Sequence, residues 1–136
     1  MRIKKYVALL STMLILFVFI MTGCEGSMNT IQTCVISHEQ YSNKTELESA
    51  KQPDRFEAGK DIYANVYFIE SPLGMEYTAR WTVKGSEIKM EKKEMKTDKQ
   101  GLIIFTLEAE NVDTGTIVFE VLYGNNKLLS KELSVQ

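Results

Sequence analysis

From residue 31 onward, apolar and polar side chains alternate with a period of two, in runs cut short by Gly, Asn, Asp and Pro. No long stretch there keeps the 3.6-residue apolar stripe of a helix. The first run, Ile31 to His38, predicts a strand. Glu39 to Pro53 is polar apart from Leu47 and Ala50 and predicts a long exposed connection, with a short helical turn around Thr45 to Ala50. Asp61 to Glu70 alternates clearly, placing Ile62, Ala64, Val66 and Phe68 on one face and Tyr63, Asn65, Tyr67 and Ile69 on the other. Ser71-Pro72-Leu73-Gly74 closes that run as a turn. Glu76 to Lys84 sets Tyr77, Ala79, Trp81 and Val83 against Thr78, Arg80, Thr82 and Lys84, the pattern of a half-buried strand.

Glu87 to Met95 fits two periods. Ile88 and Met90 suit a strand, while Ile88, Glu91 and Met95 trace a weak helical stripe; the neighbouring hairpin favours an edge strand, guarded by Lys89, Lys92 and Lys93. Leu102 to Leu107 is a dense apolar strand after the Asp98-Lys99-Gln100-Gly101 turn. Ile117, Phe119, Val121 and Tyr123 alternate before Gly124-Asn125-Asn126, and Lys127 to Val135 returns as a hairpin. Seven strands with turns about every 8 to 12 residues predict a single all-β, antiparallel two-sheet sandwich over residues 31–136, with Trp81, Phe105, Phe119 and Val121 in its core. A small barrel is the alternative.

The N-terminal segment follows a different rule. Arg2, Lys4 and Lys5 precede a nearly uncharged run from Tyr6 to Met21, followed by small residues and a cysteine. As a helix those 16 residues cover about 24 Å, short of the roughly 30 Å hydrocarbon core of a bilayer. This is the layout of a secretory signal helix. Met21-Thr22-Gly23-Cys24 resembles the lipobox of bacterial lipoproteins, although Met21 stands where leucine is usual. The resemblance implies cleavage after Gly23 and a diacylglyceryl group on the Cys24 thiol, with 24–30 as a lipidated tether. A plain signal peptide and an uncleaved N-terminal anchor are the competing readings. The lipoprotein reading places the remainder on the extracytoplasmic face of a cell membrane, and the uncleaved anchor puts it on the same side.

Removing the leader changes the charge. Residues 24–136 hold 13 Lys and Arg against 18 Asp and Glu, a formal charge of −5, which argues against nucleic acid and anionic lipid as partners. Acylation of Cys24 leaves Cys34 alone, so no internal disulfide is expected and stability must come from burial. Cys34 reads as a buried small hydrophobe.

Phe56-Glu57-Ala58-Gly59-Lys60-Asp61-Ile62-Tyr63, the Trp-centred Arg80-Trp81-Thr82-Val83-Lys84-Gly85, Thr114 to Val121 and the closing Lys131-Glu132-Leu133-Ser134-Val135 together resemble bacterial immunoglobulin-like sandwich modules. The resemblance spans most of residues 31–136. Asp113 to Phe119 echoes the corner of antibody-type domains, but Ile117 stands for the corner tyrosine and Phe119 for the second disulfide cysteine. The resemblance then implies aromatic packing against Trp81 where antibody domains have a disulfide.

Little chemistry is visible. His38 is the single histidine, so zinc sites built from several His or Cys are excluded, and any catalytic triad must pass through it. Placed at a strand end among polar residues, it reads as solvated. The acidic groups Asp54, Glu57, Asp61 and Glu108, Glu110, Asp113 lack the spacing of a calcium loop. No metal and no cofactor are expected. Tyr63, Tyr67, Tyr77 and Tyr123 are amphipathic, and Tyr63 and Tyr67 share the outward face of their strand, a candidate binding face. The sequence therefore predicts a non-catalytic, membrane-anchored lipoprotein that binds an envelope protein or surface ligand, its oligomeric state open. The alternatives are a proteinase inhibitor acting through Glu39 to Pro53, and a leader whose Leu16 to Met21 segment is released as a pheromone.

Overall fold

The computed structural model describes residues 30–136; Met21, Thr22, Gly23, Cys24 and the apolar leader lie outside the described residues. Seven strands and one short helix follow in the order β1 (Ile31–Ser37), α1 (Lys44–Ser49), β2 (Ile62–Phe68), β3 (Glu76–Val83), β4 (Ser86–Glu94), β5 (Gly101–Leu107), β6 (Gly115–Tyr123) and β7 (Asn126–Val135). A 3₁₀ turn at Ala109–Asn111 joins β5 to β6.

The strands form two antiparallel sheets, β1-β2-β5 and β4-β3-β6-β7. Two separate sheets make a sandwich, and the barrel reading is set aside. Chain order crosses between sheets after β2, β4 and β5, whereas β3–β4 and β6–β7 are hairpins within one sheet. This is an immunoglobulin-like arrangement in which the fourth strand pairs with the third instead of joining the first, second and fifth. The β3–β4 turn explains that choice in part. Lys84 and Gly85 both hold positive φ, 51° and 79°, the backbone of a two-residue type I′ turn whose twist matches paired strands.

Alternation places the core. Ile36, Ile62, Ala64, Val66, Phe68, Ile103, Phe105 and Leu107 from one sheet meet Tyr77, Ala79, Trp81, Ile117, Phe119, Val121, Leu133 and Val135 from the other. Trp81 and Phe119 lie opposite each other within the four-stranded sheet, with ring centroids 4.5 Å apart. Aromatic contacts span the two sheets at Phe105 to Phe119, 6.2 Å apart, and at Phe68 to Tyr77, stacked at 4.0 Å. Aromatic rings thus occupy the centre, and Trp81 braces the Phe119 ring from the side.

The strand β4 shows why its sequence fits two periods. Its inward positions opposite Trp81, Ala79 and Tyr77 are Lys89, Glu91 and Lys93, while the apolar Met90 points outward. These charges reach across the side of the sandwich to the free edge of β5. The Lys89 ammonium donates to the Thr106 carbonyl, Lys93 Nζ donates to Ile104 O at 2.6 Å, and Glu91 Oε2 accepts from the Thr106 amide at 3.2 Å. On the far side, inward Lys131 of β7 donates to Cys34 O at 2.9 Å, and Gln52 takes both backbone groups of Ile36, accepting at 2.8 Å and donating at 2.7 Å. Both edges of the three-stranded sheet are therefore capped by side chains. The final turn of β7 is covered in turn by Phe56 to Ala58, which runs parallel to it through Phe56 N to Ser134 O and Gln136 N to Phe56 O, each 2.9 Å.

Candidate interaction face

A sandwich offers two outer sheet faces, and here they differ. On the three-stranded sheet, Val35 and Tyr67 are roofed by α1, whose Leu47 is fully buried against them to form a second apolar cluster. The helix is short and needs its caps: Asn43 accepts from the Glu46 amide at 2.9 Å, and the Glu46 carboxylate reaches back to the Ser42 amide at 2.9 Å. Beneath it, Asn65 points outward from β2 and is fully buried. Its Oδ1 accepts from Tyr41 N at 3.0 Å and its Nδ2 donates to Glu39 O at 3.0 Å and Val35 O at 3.2 Å. One amide side chain ties the connection down to the sheet.

This changes the reading of the sequence-derived sites. Tyr63 and Tyr67 do share the outward face, but Tyr67 is buried under α1, and the half-buried Tyr63 hydroxyl is spent on Asp61 Oδ2 at 3.2 Å. They do not form an open patch. Glu39 to Pro53 is likewise no projecting loop, being held by Asn65, by α1 and by Gln52. His38 is structural rather than solvated: its Nδ1 lies 2.8 Å from Asp61 O, its Nε2 accepts from the Glu57 amide at 3.0 Å, and its ring meets Phe56 edge-on. Both ring nitrogens are engaged with backbone, which pins the start of β2 to the Phe56 segment.

Three of the six acidic groups, Glu57, Asp61 and Glu108, are also occupied locally. Asp61 Oδ1 accepts from the Ala109 amide at 2.7 Å, Glu108 pairs with Lys89 at 2.7 Å, and Glu57 pairs with Lys60. No three His, Cys, Asp or Glu side chains converge on a metal-sized site among the described residues. Cys34 is half-buried against the core, and burial pushes its thiol up to about 11, with Lys131 pulling weakly the other way. It is a thiol at neutral pH. Trp81, Phe105, Phe119 and Val121 are fully buried at the sandwich centre.

The outer face of the four-stranded sheet is open. Thr78 and Arg80 from β3, Met90 and Lys92 from β4, Leu122 from β6 and Lys127 from β7 line a shallow depression of about 480 Å³. Met90 is 54% exposed at its side. Beneath the rim, Glu120 is buried and draws Lys127 to 2.7 Å and Arg80 to 3.4 Å. Lys92 is left as the rim cation on the Met90 side. The surface offers two apolar side chains framed by three basic ones over one acidic group, a composition that suits a partner with both acidic and apolar contacts. A larger cleft of about 710 Å³ between residues 39–41 and α1 is lined by Tyr41, hydroxyls and the carboxylates of Glu39 and Glu46, the latter already accepting from the Ser42 amide.

Glu120 gives this face a pH dependence. The hydrogen bond from Lys127 holds its carboxyl below the usual glutamate range, and the Lys127 and Arg80 charges act in the same direction against its burial. A depressed native pKa stabilises the fold above the unfolded value of about 4.3, and that contribution is lost as pH falls further through the native one. Glu120→Gln should flatten the acid limb of a denaturation-midpoint series between neutral pH and acid; an unchanged limb would remove Glu120 as its source.

No protein-family model matches the sequence, and neither does any curated protein. Among solved structures, an immunoglobulin-like protein from Pseudomonas aeruginosa is similar at 11% sequence identity, covering 76% of this chain and 90% of that one with a TM-score of 0.49. The immunoglobulin-like assignment rests on the strand order itself. No helix among the described residues is long and apolar enough to cross a membrane.

Proposed function

We propose that this protein is a lipid-anchored, non-catalytic recognition module that works on the outer side of a cell membrane. Cys24 carries the anchor. The four-stranded face, with Arg80, Lys92 and Lys127 around Met90 and Leu122, receives an envelope protein that presents acidic and apolar side chains. The observation that carries the recognition reading is the unequal cover of the two sheets: the chain roofs one face with its own helix and leaves the other open. The anchor is supported by Met21-Thr22-Gly23-Cys24 and the apolar run before it. Burying an acyl chain gains about 0.8 kcal/mol per CH₂, and two chains hold durably where one does not. Confinement to a membrane raises the effective concentration for any partner in the same membrane, so a shallow, weakly binding face suffices. With both nitrogens of the sole histidine bound to backbone, the reading uses no catalytic group.

Two measurements test it. Intact-mass analysis of the membrane-extracted protein should show a diacylglyceryl-modified Cys24 at the N-terminus, and Cys24→Ala should abolish the modification and the resistance of the mature domain to membrane washing. A photocrosslinking side chain placed at Met90 should trap a discrete partner in whole cells, whereas the same probe at Lys51, on the exposed connection beyond α1, should not. Lys92→Glu should weaken the Met90 adduct. Equal trapping from both positions, or none from Met90, would remove the four-stranded face as the binding surface. The inhibitor alternative is not favoured, because the segment it needs is fastened along its length.

A further inference from the structure

We propose that the pole of the sandwich at which the chain comes in at Thr30 rests on the lipid surface, with Leu73 and Tyr123 seated in the headgroup layer. This deepens the anchored-module reading and rests on it. Register defines the pole. Ile31 stands opposite Phe68, Phe68 opposite Gly101, Glu76 opposite Glu94 and Tyr123 opposite Asn126, so the connections 69–75 and 95–100 and the β6–β7 turn share the end where β1 begins. Three large apolar side chains are exposed among the described residues, and two of them, Leu73 at 63% and Tyr123 at 44%, are on this pole. The opposite pole, with the β3–β4 and β5–β6 connections, carries neither of them nor Met90.

Those two side chains are displayed on a rigid base. Leu73 occupies the tip of a turn closed by Met75 N to Pro72 O at 3.1 Å, with Gly74 at φ +86° as that turn requires. The turn is fastened by Ser71 N to Lys99 O at 2.8 Å, by Gly74 N to Met95 O at 2.9 Å, and by Ser71 Oγ to the Tyr77 hydroxyl at 2.6 Å. Tyr77 in turn stacks on Phe68 at 4.0 Å and meets the Tyr123 ring at 5.9 Å. Leu73 and Tyr123 therefore belong to one connected unit, an aliphatic tip beside an amphipathic ring, which is the pairing that suits a membrane–water interface.

Tether length and charge select the orientation. Six residues from Cys24 to Thr30 reach about 20 Å at most, even fully extended. The ten-residue β7 alone is about 34 Å long, so the far pole cannot come down to the lipid while Cys24 stays in it. The domain as a whole is acidic and gains nothing by lying flat on an anionic surface. At the near pole Glu94 is neutralised by Lys96 at 2.9 Å and Asp98 accepts from the Leu73 amide at 3.3 Å. Contact there is carried by Leu73 and Tyr123, and it holds on zwitterionic lipid.

The test uses the full native lipoprotein, extracted and reconstituted in phosphatidylcholine vesicles containing brominated phosphatidylcholine, which quenches indole emission at the interface. Leu73→Trp should lose about half of its added emission, as expected for a side chain seated about 5–10 Å into the headgroup and acyl boundary. Thr114→Trp at the far pole and the buried Trp81 of the unsubstituted chain should lose almost none. Equal quenching at positions 73 and 114, or none at 73, overturns the pole assignment even when intact mass confirms acylated Cys24. An unmodified Cys24 removes the anchor itself, and the pole assignment with it.

Discussion

Trp81→Ala is expected to lower the unfolding free energy of the domain by about 3–5 kcal/mol, the range for truncating a large buried aromatic. That is a large part of the roughly 5–15 kcal/mol that holds a domain of this size together. The position is fully buried beside Phe119, and Phe119 is the ring that meets Phe105 across the sheets. Alanine would leave a cavity at a point where the sheets touch. The cost is tempered by one term: the indole Nε1–H is buried with no hydrogen-bond partner among the described residues, so its removal relieves an unsatisfied donor. Trp81→Phe keeps most of the packing and removes the same donor, and its cost should fall below about 1.5 kcal/mol. Denaturant midpoints of the two variants separate the contributions. Similar losses in both would mean that the ring edge near Nε1, and not the bulk of the side chain, supports the centre.

Asn65→Ala is expected to cost about 2–3 kcal/mol, since it breaks several hydrogen bonds at once and leaves the Tyr41 amide and the Glu39 carbonyl to find water. The damage should be regional. Without that amide the connection 39–41 loses its hold on β2, α1 lifts, and Leu47, Val35 and Tyr67 become accessible. Limited proteolysis should then cut within residues 39–53 far faster than in the unsubstituted chain while the rest of the sandwich persists. Uniform proteolysis over the whole domain would contradict the regional account. Asn65→Asp keeps the oxygen that accepts from Tyr41 but loses the Nδ2 donors and buries a charge, so it should be at least as disruptive.

Both positions show what the sequence could and could not reveal. Trp81 announces itself through alternation, because Tyr77, Ala79, Trp81 and Val83 share a parity that only a one-sided burial explains, and the same rule places Phe105, Phe119 and Val121. Asn65 has the right parity for an outward position and the wrong environment, since nothing in a period-two pattern says that a helix from a polar connection will cover it. A signal for that helix exists in Asn43-Lys44-Thr45-Glu46, a capping arrangement just before Leu47. β4 is obscured for the opposite reason. Its inward positions are charged because they serve a neighbouring strand edge, and hydrophobic periodicity cannot report a polar contact. The open face was equally hidden: Arg80, Met90, Lys92 and Lys127 are far apart in sequence, and only the β4-β3-β6-β7 order makes them neighbours.

The lysines that turn inward at β4 and β7 bear on behaviour at high density. A bare strand border invites another copy to add on, and such addition grows into fibres when molecules share one orientation and move in a plane. Here the backbone groups of β1 and β5 that would template such growth are already bonded to Lys131, Gln52, Lys89, Glu91 and Lys93. Sideways addition of another copy along the three-stranded sheet is thereby opposed by the molecule's own side chains.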